Sequence, residues 1–256
     1  MTLKQGLIVV TAGLVALGLH AQEAAPARAS KLEKSLTLGL NLTDGNSETM
    51  LANGNLQIAG EKDLLGSFKV GLEGNYGENT TRSVVDGVEI KEDETTVSNA
   101  KLTGNAKKTL TPRTYAYLDG SVLNDDIADI SYRATLGPGL GLFLVKSDSI
   151  SLSLDAGVLQ LWEDVAGASD DYWALRFSQA FEYKFAANSK IWQSVVYTPE
   201  AGDFENYLAT AEIGVEAPLQ GRLNLRVVLQ DKYDSEPGED VKHNDLTLIA
   251  GVSIKL

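Results

Sequence analysis

The amino-acid sequence predicts an all-β protein, a transmembrane antiparallel up-and-down β-barrel of about 12 strands. Three observations lead to this prediction. First, apolar and polar residues alternate along most of the chain. Second, the connections between these alternating segments are short and long in turn. Third, the chain ends within such a segment, TLIAGVSIKL. Alternation with a period of two is typical of a strand with one apolar face.

The first 21 residues are predicted to be a secretory signal peptide. Lys4 precedes the apolar run GLIVVTAGLVALGL, and the small residue Ala21 lies shortly after it. A run of about 14 residues is too short for a spanning helix, which takes about 20 residues. We therefore expect the mature chain to start at Gln22 outside the cytoplasm, with a periplasmic segment at 22–33 and the barrel at 34–256.

Composition excludes several kinds of chemistry. The chain has no cysteine, so disulfides, thiolate nucleophiles, thiolate metal sites and a lipoprotein anchor are excluded. The formal net charge is −13, which argues against nucleic acid as a partner because phosphate binding needs a basic surface.

Twelve segments show the strand pattern, and most of them have 10 residues or more. Tilted strands that cross a bilayer need about 9–11 residues, whereas strands of soluble proteins usually have about 5–6. The predicted strands are Lys34–Asn41, Thr49–Gly60, Gly66–Glu78, Thr95–Thr109, Arg113–Leu123, Ile130–Val145, Ile150–Trp162, Tyr172–Phe185, Lys190–Thr198, Glu205–Ala217, Arg222–Tyr233 and Asp245–Leu256.

Connections between these segments alternate in length. EKDLLG, LTPR, VKSDS, AANSK and PLQG are short, and they alternate with longer acidic connections such as GENTTRSVVDGVEIKEDET and DSEPGEDVKH. Short turns at one end and long loops at the other are typical of outer-membrane barrels. The pattern predicts both termini at the short-turn, periplasmic end, and it predicts that Glu78–Glu94 is the most exposed loop.

Aromatic residues favour a membrane barrel over a soluble lipocalin-like barrel or β-sandwich, which would also have one apolar face. They concentrate near both ends of the predicted strands, as expected for belts at the two lipid–water boundaries. The outer belt is predicted to contain Tyr76, Tyr132, Trp162, Trp173, Tyr197, Tyr207 and Tyr233. The periplasmic belt is predicted to contain Phe68, Tyr115, Tyr117, Phe143, Tyr183, Phe185 and Trp192.

Charged residues of both signs fall in the opposite register, which would face the lumen. The predicted lumen charge network comprises Arg133, Asp155, Arg176, Glu182, Lys184, Glu212, Glu216 and Arg226. If PLQG closes a hairpin, Arg226 lies beside or diagonal to Glu212 or Glu216. Paired charges at several depths predict a largely occluded lumen. Gln179 falls in the lipid-facing register of its strand, and Trp192 and Val195 leave the register of theirs ambiguous, which predicts local bulges there.

The end of the chain is predicted to close the barrel. In a closed barrel the last strand pairs with the first, so no edge remains. Gly251, Ile254 and Leu256 resemble the C-terminal assembly signal of outer-membrane proteins, although the usual final residue is Phe. The barrel assembly machinery is therefore an expected partner.

Three stretches carry a resemblance to a known family. They are LTLGLNLTDGNSETMLANGNLQIAG, GSFKVGLEGNYGE and RATLGPGLGLFLVKSDSISLSLDAGV, with the DGNS turn and Gly137, Gly139 and Gly141 as their specific features. The sequence resembles the family of YdiY-like salt-induced outer membrane proteins over nearly all of the mature chain. The resemblance implies an outer-membrane β-barrel and brings no catalytic residues with it.

Catalytic, metal and cofactor sites are not predicted. Once His20 leaves with the signal peptide, His243 is the last imidazole, and no motif ties a serine to it. Asp125, Asp126 and Asp129 form one group of oxygen ligands, and a second contains Asp44, Asn46 and Glu48; neither has EF-hand spacing.

The sequence therefore predicts a non-enzymatic outer-membrane protein with a role in envelope structure or in ionic stress. The alternatives are a small pore for ions or small solutes and, more remotely, an outer-membrane hydrolase centred on His243. The expected partners are outer-membrane lipid, lipopolysaccharide and loosely bound divalent cations shared with it.

Overall fold

The computed structural model describes residues 32–43, 47–62, 66–85, 88–186, 189–238 and 242–256. The predicted signal peptide and nearly all of the predicted periplasmic segment lie outside the described residues. No helix in the described part of the chain is long and apolar enough to cross a membrane.

Twelve strands form the fold, as the sequence predicts. Their bounds are β1 Glu33–Thr43, β2 Ser47–Lys62, β3 Gly66–Val85, β4 Val88–Thr109, β5 Thr114–Asp125, β6 Ile130–Lys146, β7 Ile150–Val165, β8 Ala168–Ala186, β9 Ser189–Pro199, β10 Tyr207–Gln220, β11 Leu223–Asp234 and β12 Asn244–Lys255.

Each strand pairs antiparallel with its neighbours in sequence, and β1 pairs with β12 to close the barrel. The closing ladder runs from Ser35 opposite Lys255 to Leu38 opposite Val252. Beyond it, the backbone N–H of Leu256 donates to the carbonyl oxygen of Lys34 at 2.9 Å. Closure therefore satisfies the backbone of the chain end and leaves no open sheet edge.

The two ends of the barrel differ, and we name them for the chain termini. At the terminal end β1 begins and β12 ends, while the distal end is the opposite rim. The sequence predicts long loops at the distal end, and this prediction is wrong for two of them. Strand β3 continues to Val85 and β4 begins at Val88, and β7 and β8 meet at Ala166 and Gly167, with φ of 51° and 77°. Positive φ at both turn residues is typical of a tight β-hairpin.

The predicted loop Glu78–Glu94 is therefore a two-stranded arm. Strand β2 accompanies β3 as far as Thr81, and the β4–β5 ladder starts only at Asn99. Between these limits β3 and β4 pair mainly with each other, out to Val85 opposite Val88. The alternation ends in this stretch because both faces of a ribbon outside the lipid can be polar, while the ladder hydrogen bonds continue.

The outer surface of the barrel is apolar. Side chains of one register on each strand are exposed, including Leu40 (65%), Leu140 (63%) and Leu248 (66%). Others of this surface are Leu38, Leu56, Leu72, Leu102, Leu118, Leu136, Leu154, Val158, Phe177, Ile213, Leu225 and Leu246. An apolar surface that encircles the molecule suits contact with lipid, because soluble monomers expose only patches of a few hundred Å².

The predicted aromatic belts are correct only in part. Tyr76, Tyr132, Trp162, Trp173, Tyr183 and Phe185 are exposed on the outer surface. In contrast, Tyr115, Tyr117, Phe143 and Trp192 are at most 5% exposed, because their rings point into the lumen. The predicted bulge at Gln179 is also wrong: Gln179 pairs with Val195 in an unbroken ladder, and β8 and β9 shift register only near Lys184.

Candidate functional site: the lumen

The lumen is lined by the inward register of the strands, which is mostly polar. Glu73, Lys107, Arg176, Glu182 and Glu212 are all buried inside the closed wall. Charges of this kind would be costly on the lipid face, where Lys or Arg costs about 2–4 kcal/mol at the midplane. The alternation that places Leu and Val outside therefore places the charges inside.

Arg133 connects two sides of the barrel near the distal end. Its Nε donates to Glu163 on β7, and its Nη2 donates to Asp234 on β11 at 3.0 Å. Strands β6 and β11 are not neighbours, so the second bond crosses the lumen. All three side chains are at least three-quarters buried, so water and salt screen their attraction less than at an open surface.

Aromatic rings fill the lumen nearer the terminal end, where β6 and β7 carry inward glycines. The ring of Tyr117 lies on Gly139 and that of Tyr115 on Gly141, where any side chain would overlap them. A Cβ at Gly157 would lie 2.6 Å from the Tyr117 hydroxyl. These glycines leave room for rings inside the wall, which explains the glycine-rich stretch of β6.

Arg176 and Asp155 form a buried ion pair beside these rings. The Arg176 guanidinium donates to Asp155 and, at 3.2 Å, to the Tyr117 hydroxyl. The Tyr115 hydroxyl donates to Asp155 at 3.2 Å, and the ammonium of Lys107 lies 4.6 Å from the Tyr115 ring centre. Strands β4, β5, β7 and β8 are thereby joined inside the lumen.

A second cluster, around the Trp192 ring, lies across the lumen. Trp192 packs on Gly214, its indole N–H donates to Glu212 at 2.5 Å, and the Gln230 amide donates to Glu212 at 3.4 Å. Arg226 lies 4.7 Å from the Trp192 ring centre and 4.0 Å from a Glu216 oxygen. Arg226 is opposite Glu216 in the β10–β11 ladder.

Glu182 binds two lysines at the terminal end of β8 and β9. The ammonium of Lys190 lies 3.3 Å from one of its oxygens, and that of Lys184 lies 3.7 Å from the other. Glu182 is 2% exposed, while both lysines reach toward solvent. The eight predicted lumen residues thus all lie in ion pairs or hydrogen bonds within the lumen lining.

A cavity of about 150 Å³ lies between the Arg133 bridge and the aromatic rings. Lys69, Lys101, Asp119 and Arg176 contribute to its lining, as do Leu159 and Leu161 of β7. Beside β1, β2, β11 and β12 a second space measures only about 20 Å³. The described lumen side chains therefore leave separate spaces of very different size.

Sequence reasoning missed several lumen residues. Glu163, Lys190 and Asp234 complete ion pairs, and each was assigned to a strand end or a connection. The sequence predicts Tyr115 and Tyr117 in the periplasmic belt, yet they share a register with Asp119 and Ser121 on the same strand. Residues in the same register of a strand lie on the same face, and this signal in the sequence could have placed the two rings in the lumen.

The other candidate groups have partners within the chain. The ring of His243 stacks on Tyr233 at 5.9 Å, and its Nδ1 lies 2.9 Å from the carbonyl oxygen of Asp234. Asp125 accepts from the Ala128 N–H at 3.2 Å, and Asp126 accepts from Ser98 at 2.7 Å. In the described ranges no three His, Asp or Glu side chains form a group that could hold a metal. Asp44 and Asn46 lie outside those ranges.

The residues of the predicted assembly signal lie on the closing strand. Gly251 faces Arg226 across the ladder, and a Cβ there would lie 2.8 Å from the Leu38 carbonyl oxygen. Ile254 is opposite Leu36 on one side and Leu223 on the other. Leu256 is 61% exposed.

Closure, strand length and an apolar outer surface define the class of this protein as a transmembrane β-barrel. The chain belongs to the family described as "Protein of unknown function, DUF481", whose model matches residues 36–255. This is the family of YdiY-like outer membrane proteins, which confirms the resemblance seen in the sequence. No curated protein is detectably similar in sequence.

One solved porin structure shares the architecture, and two other barrels give lower scores. The NanC porin superposes with a TM-score of 0.53 at 9% identity, covering 88% of this chain and 100% of that chain. The KdgM porin gives 0.48 at 9% identity, with 88% and 99% covered. The translocator domain of the autotransporter NalP from Neisseria meningitidis gives 0.42 at 8% identity, with 88% and 87% covered. The likeness to NanC, at this identity, shows the fold alone.

Proposed function

We propose that this protein is a non-enzymatic β-barrel of the bacterial outer membrane whose lumen is closed to free ion flow. Its proposed role is in envelope structure or in the response to ionic stress. The observation that carries the closed lumen is the Arg133 bridge from β6 and β7 to Asp234 on β11.

Charge pairing supports this proposal. A twelve-strand barrel lies between the eight-strand size that side chains can fill and the 16-strand size that leaves an aqueous channel. Here Tyr115, Tyr117, Phe143 and Trp192 add bulk to the lumen, and cations lie within bonding distance of carboxylates at several depths. A selective pore would more often be lined by charges of one sign.

Orientation follows from the two ends of the barrel. The start of β1 and the end of β12 lie at the terminal end, which we place on the periplasmic side, and the β3–β4 arm at the distal end therefore belongs outside. Glu92, Asp93 and Glu94 are exposed on the arm. Such carboxylates can share divalent cations with the phosphates of lipopolysaccharide, so lipopolysaccharide and outer-membrane lipid are the proposed partners.

A small pore for ions or small solutes is the second candidate. The cavity of about 150 Å³ favours it, because the lumen already contains a space that a small solute could occupy. The porin fold shared with NanC is compatible with both candidates.

Conductance separates the two candidates. We expect the purified protein to give no stable current steps in planar bilayers bathed in concentrated potassium chloride. Arg133→Ala should raise the conductance, because Glu163 and Asp234 would repel each other across a widened lumen. The matched control is Arg113→Ala, which removes an exposed arginine from the β4–β5 turn and should change nothing. Large salt-dependent unitary currents from the unmodified protein would establish the pore instead.

A further inference from the structure

The central cavity has a polar wall on one side and a partly apolar wall on the other. Strands β3 to β6 contribute Lys69, Lys101, Asn105, Asp119, Ser121 and Thr135. The opposite side combines four apolar residues, Leu159, Leu161, Val196 and Leu208, with three polar ones, Arg176, Thr198 and Thr210. Barrel interiors in the outer membrane are generally polar. Leucines that are 5% and 0% exposed, such as Leu159 and Leu161, therefore need an explanation in a lumen.

The polar wall presents one lysine without a bound carboxylate. Arg176 is paired with Asp155, and Asp119 accepts a hydrogen bond from Asn105 at 3.0 Å. Lys101 lies opposite Glu73 in the β3–β4 ladder, yet no described carboxylate oxygen comes within 4.0 Å of its ammonium. Lys101 lines the cavity instead, and one buried oxygen of Glu73 has no hydrogen-bond partner.

We propose that this cavity binds a small organic anion with a short aliphatic chain. The carboxylate of the ligand would pair with Lys101 and the chain would lie against Leu159, Leu161 and Val196. Such a ligand would contact both walls of the cavity. An inorganic anion would gain nothing from the leucines, and a hydrocarbon would leave the Lys101 ammonium without an anion. The proposal does not depend on whether the lumen conducts.

Butyrate is the probe that tests the site. Isothermal titration calorimetry of the folded protein in detergent, with protein-free micelles as the blank, measures its affinity. Butan-1-ol, butylammonium and acetate are titrated under the same conditions. We expect butyrate to bind at least about tenfold more tightly than each of them. Butan-1-ol lacks the negative charge, butylammonium carries the opposite charge, and acetate lacks the longer apolar chain. Equal binding of butan-1-ol or of acetate would overturn the proposal, and so would no butyrate binding.

Three variants locate the site. Lys101→Gln should weaken butyrate binding at least about tenfold, and Glu73→Gln should strengthen it by removing a nearby negative charge. Leu161→Phe should abolish binding by filling the cavity. The matched control Lys108→Gln, an exposed lysine of β4, should bind as the unmodified protein does. Heat-dependent mobility in detergent gels shows that each variant is folded. A folded Lys101→Gln protein with unchanged affinity would refute the assignment.

Discussion

Single glycines determine how closely the wall strands approach one another at β6 and β7. A Cβ at Gly137 would overlap the Val158 carbonyl oxygen and lie 2.8 Å from the Leu159 Cα, so the backbone itself would have to move. We expect Gly137→Ala to destabilise the barrel by about 1–3 kcal/mol, as overpacking does. Urea unfolding in lipid vesicles, followed by tryptophan fluorescence, measures this change. Gly104→Ala is the control, since a Cβ there meets nothing within 4 Å.

Replacing Arg226 tests how much the cluster around Trp192 stabilises the barrel. It lies over Trp192 and 4.0 Å from Glu216, which is buried. We expect Arg226→Ala to lower the free energy of unfolding by about 1–3 kcal/mol, because a buried carboxylate loses its cation. The same urea titration reads the change. Arg226→Ala/Glu216→Gln should recover part of the loss, whereas an additive double variant would show that the pair does not interact.

Strand β12 closes the barrel by pairing with β1. Ile254 and Lys255 pair with β1, and the N–H of Leu256 donates to Lys34. Deleting residues 254–256 should sharply reduce the amount of folded protein in the outer membrane, since backbone groups of β1 would lose partners within the lipid. Heat-dependent gel mobility of outer-membrane fractions measures it. The Leu256→Ala variant keeps the backbone hydrogen bond to Lys34 but loses the leucine side chain. It therefore distinguishes barrel closure from recognition of that side chain by the assembly machinery. Wild-type levels of the truncated chain would contradict the role of this strand.

The β3–β4 arm should be accessible from outside the cell. Its outer part pairs only within the arm, so an epitope inserted at 86–87 should leave the barrel folded and be detected by antibody on intact cells. The matched control is the same epitope between Thr111 and Pro112, in an exposed turn at the terminal end. That epitope should be detected only after the outer membrane is broken. The reverse result would invert the proposed orientation.

The whole molecule should behave as a membrane barrel that is exported and processed. Its outer surface is apolar on every side, so the protein should be recovered with outer membranes and need detergent for extraction. The folded form should migrate differently from the boiled form in detergent gels, and the mature N-terminus should lie at Gln22. Cell fractionation and N-terminal sequencing measure these properties. Recovery in the soluble periplasmic fraction would count against the outer-membrane proposal.

The sequence by itself determined the strand number, the antiparallel order and, for the aliphatic and charged residues, the division between lipid-facing and lumen-facing positions. This information is local, because a strand that separates lipid from a polar lumen must alternate with a period of two. Leu246 and Leu248 of β12, for example, could be placed outside from their spacing alone, and both are exposed. The arm was missed because a ribbon outside the membrane has no lipid-facing side, so its sequence carries no such alternation.

Only the tertiary structure decided which aromatic rings fill the lumen and which residues meet across it. Tyr115 and Tyr117 turn inward because Gly139, Gly141 and Gly157 on neighbouring strands leave room for their rings. Arg133 meets Asp234, which lies 101 residues away, because barrel closure and strand stagger bring β6 and β11 to the same depth. Contacts across a lumen depend on closure and on the stagger of every ladder between the two strands, and period-two alternation specifies neither quantity.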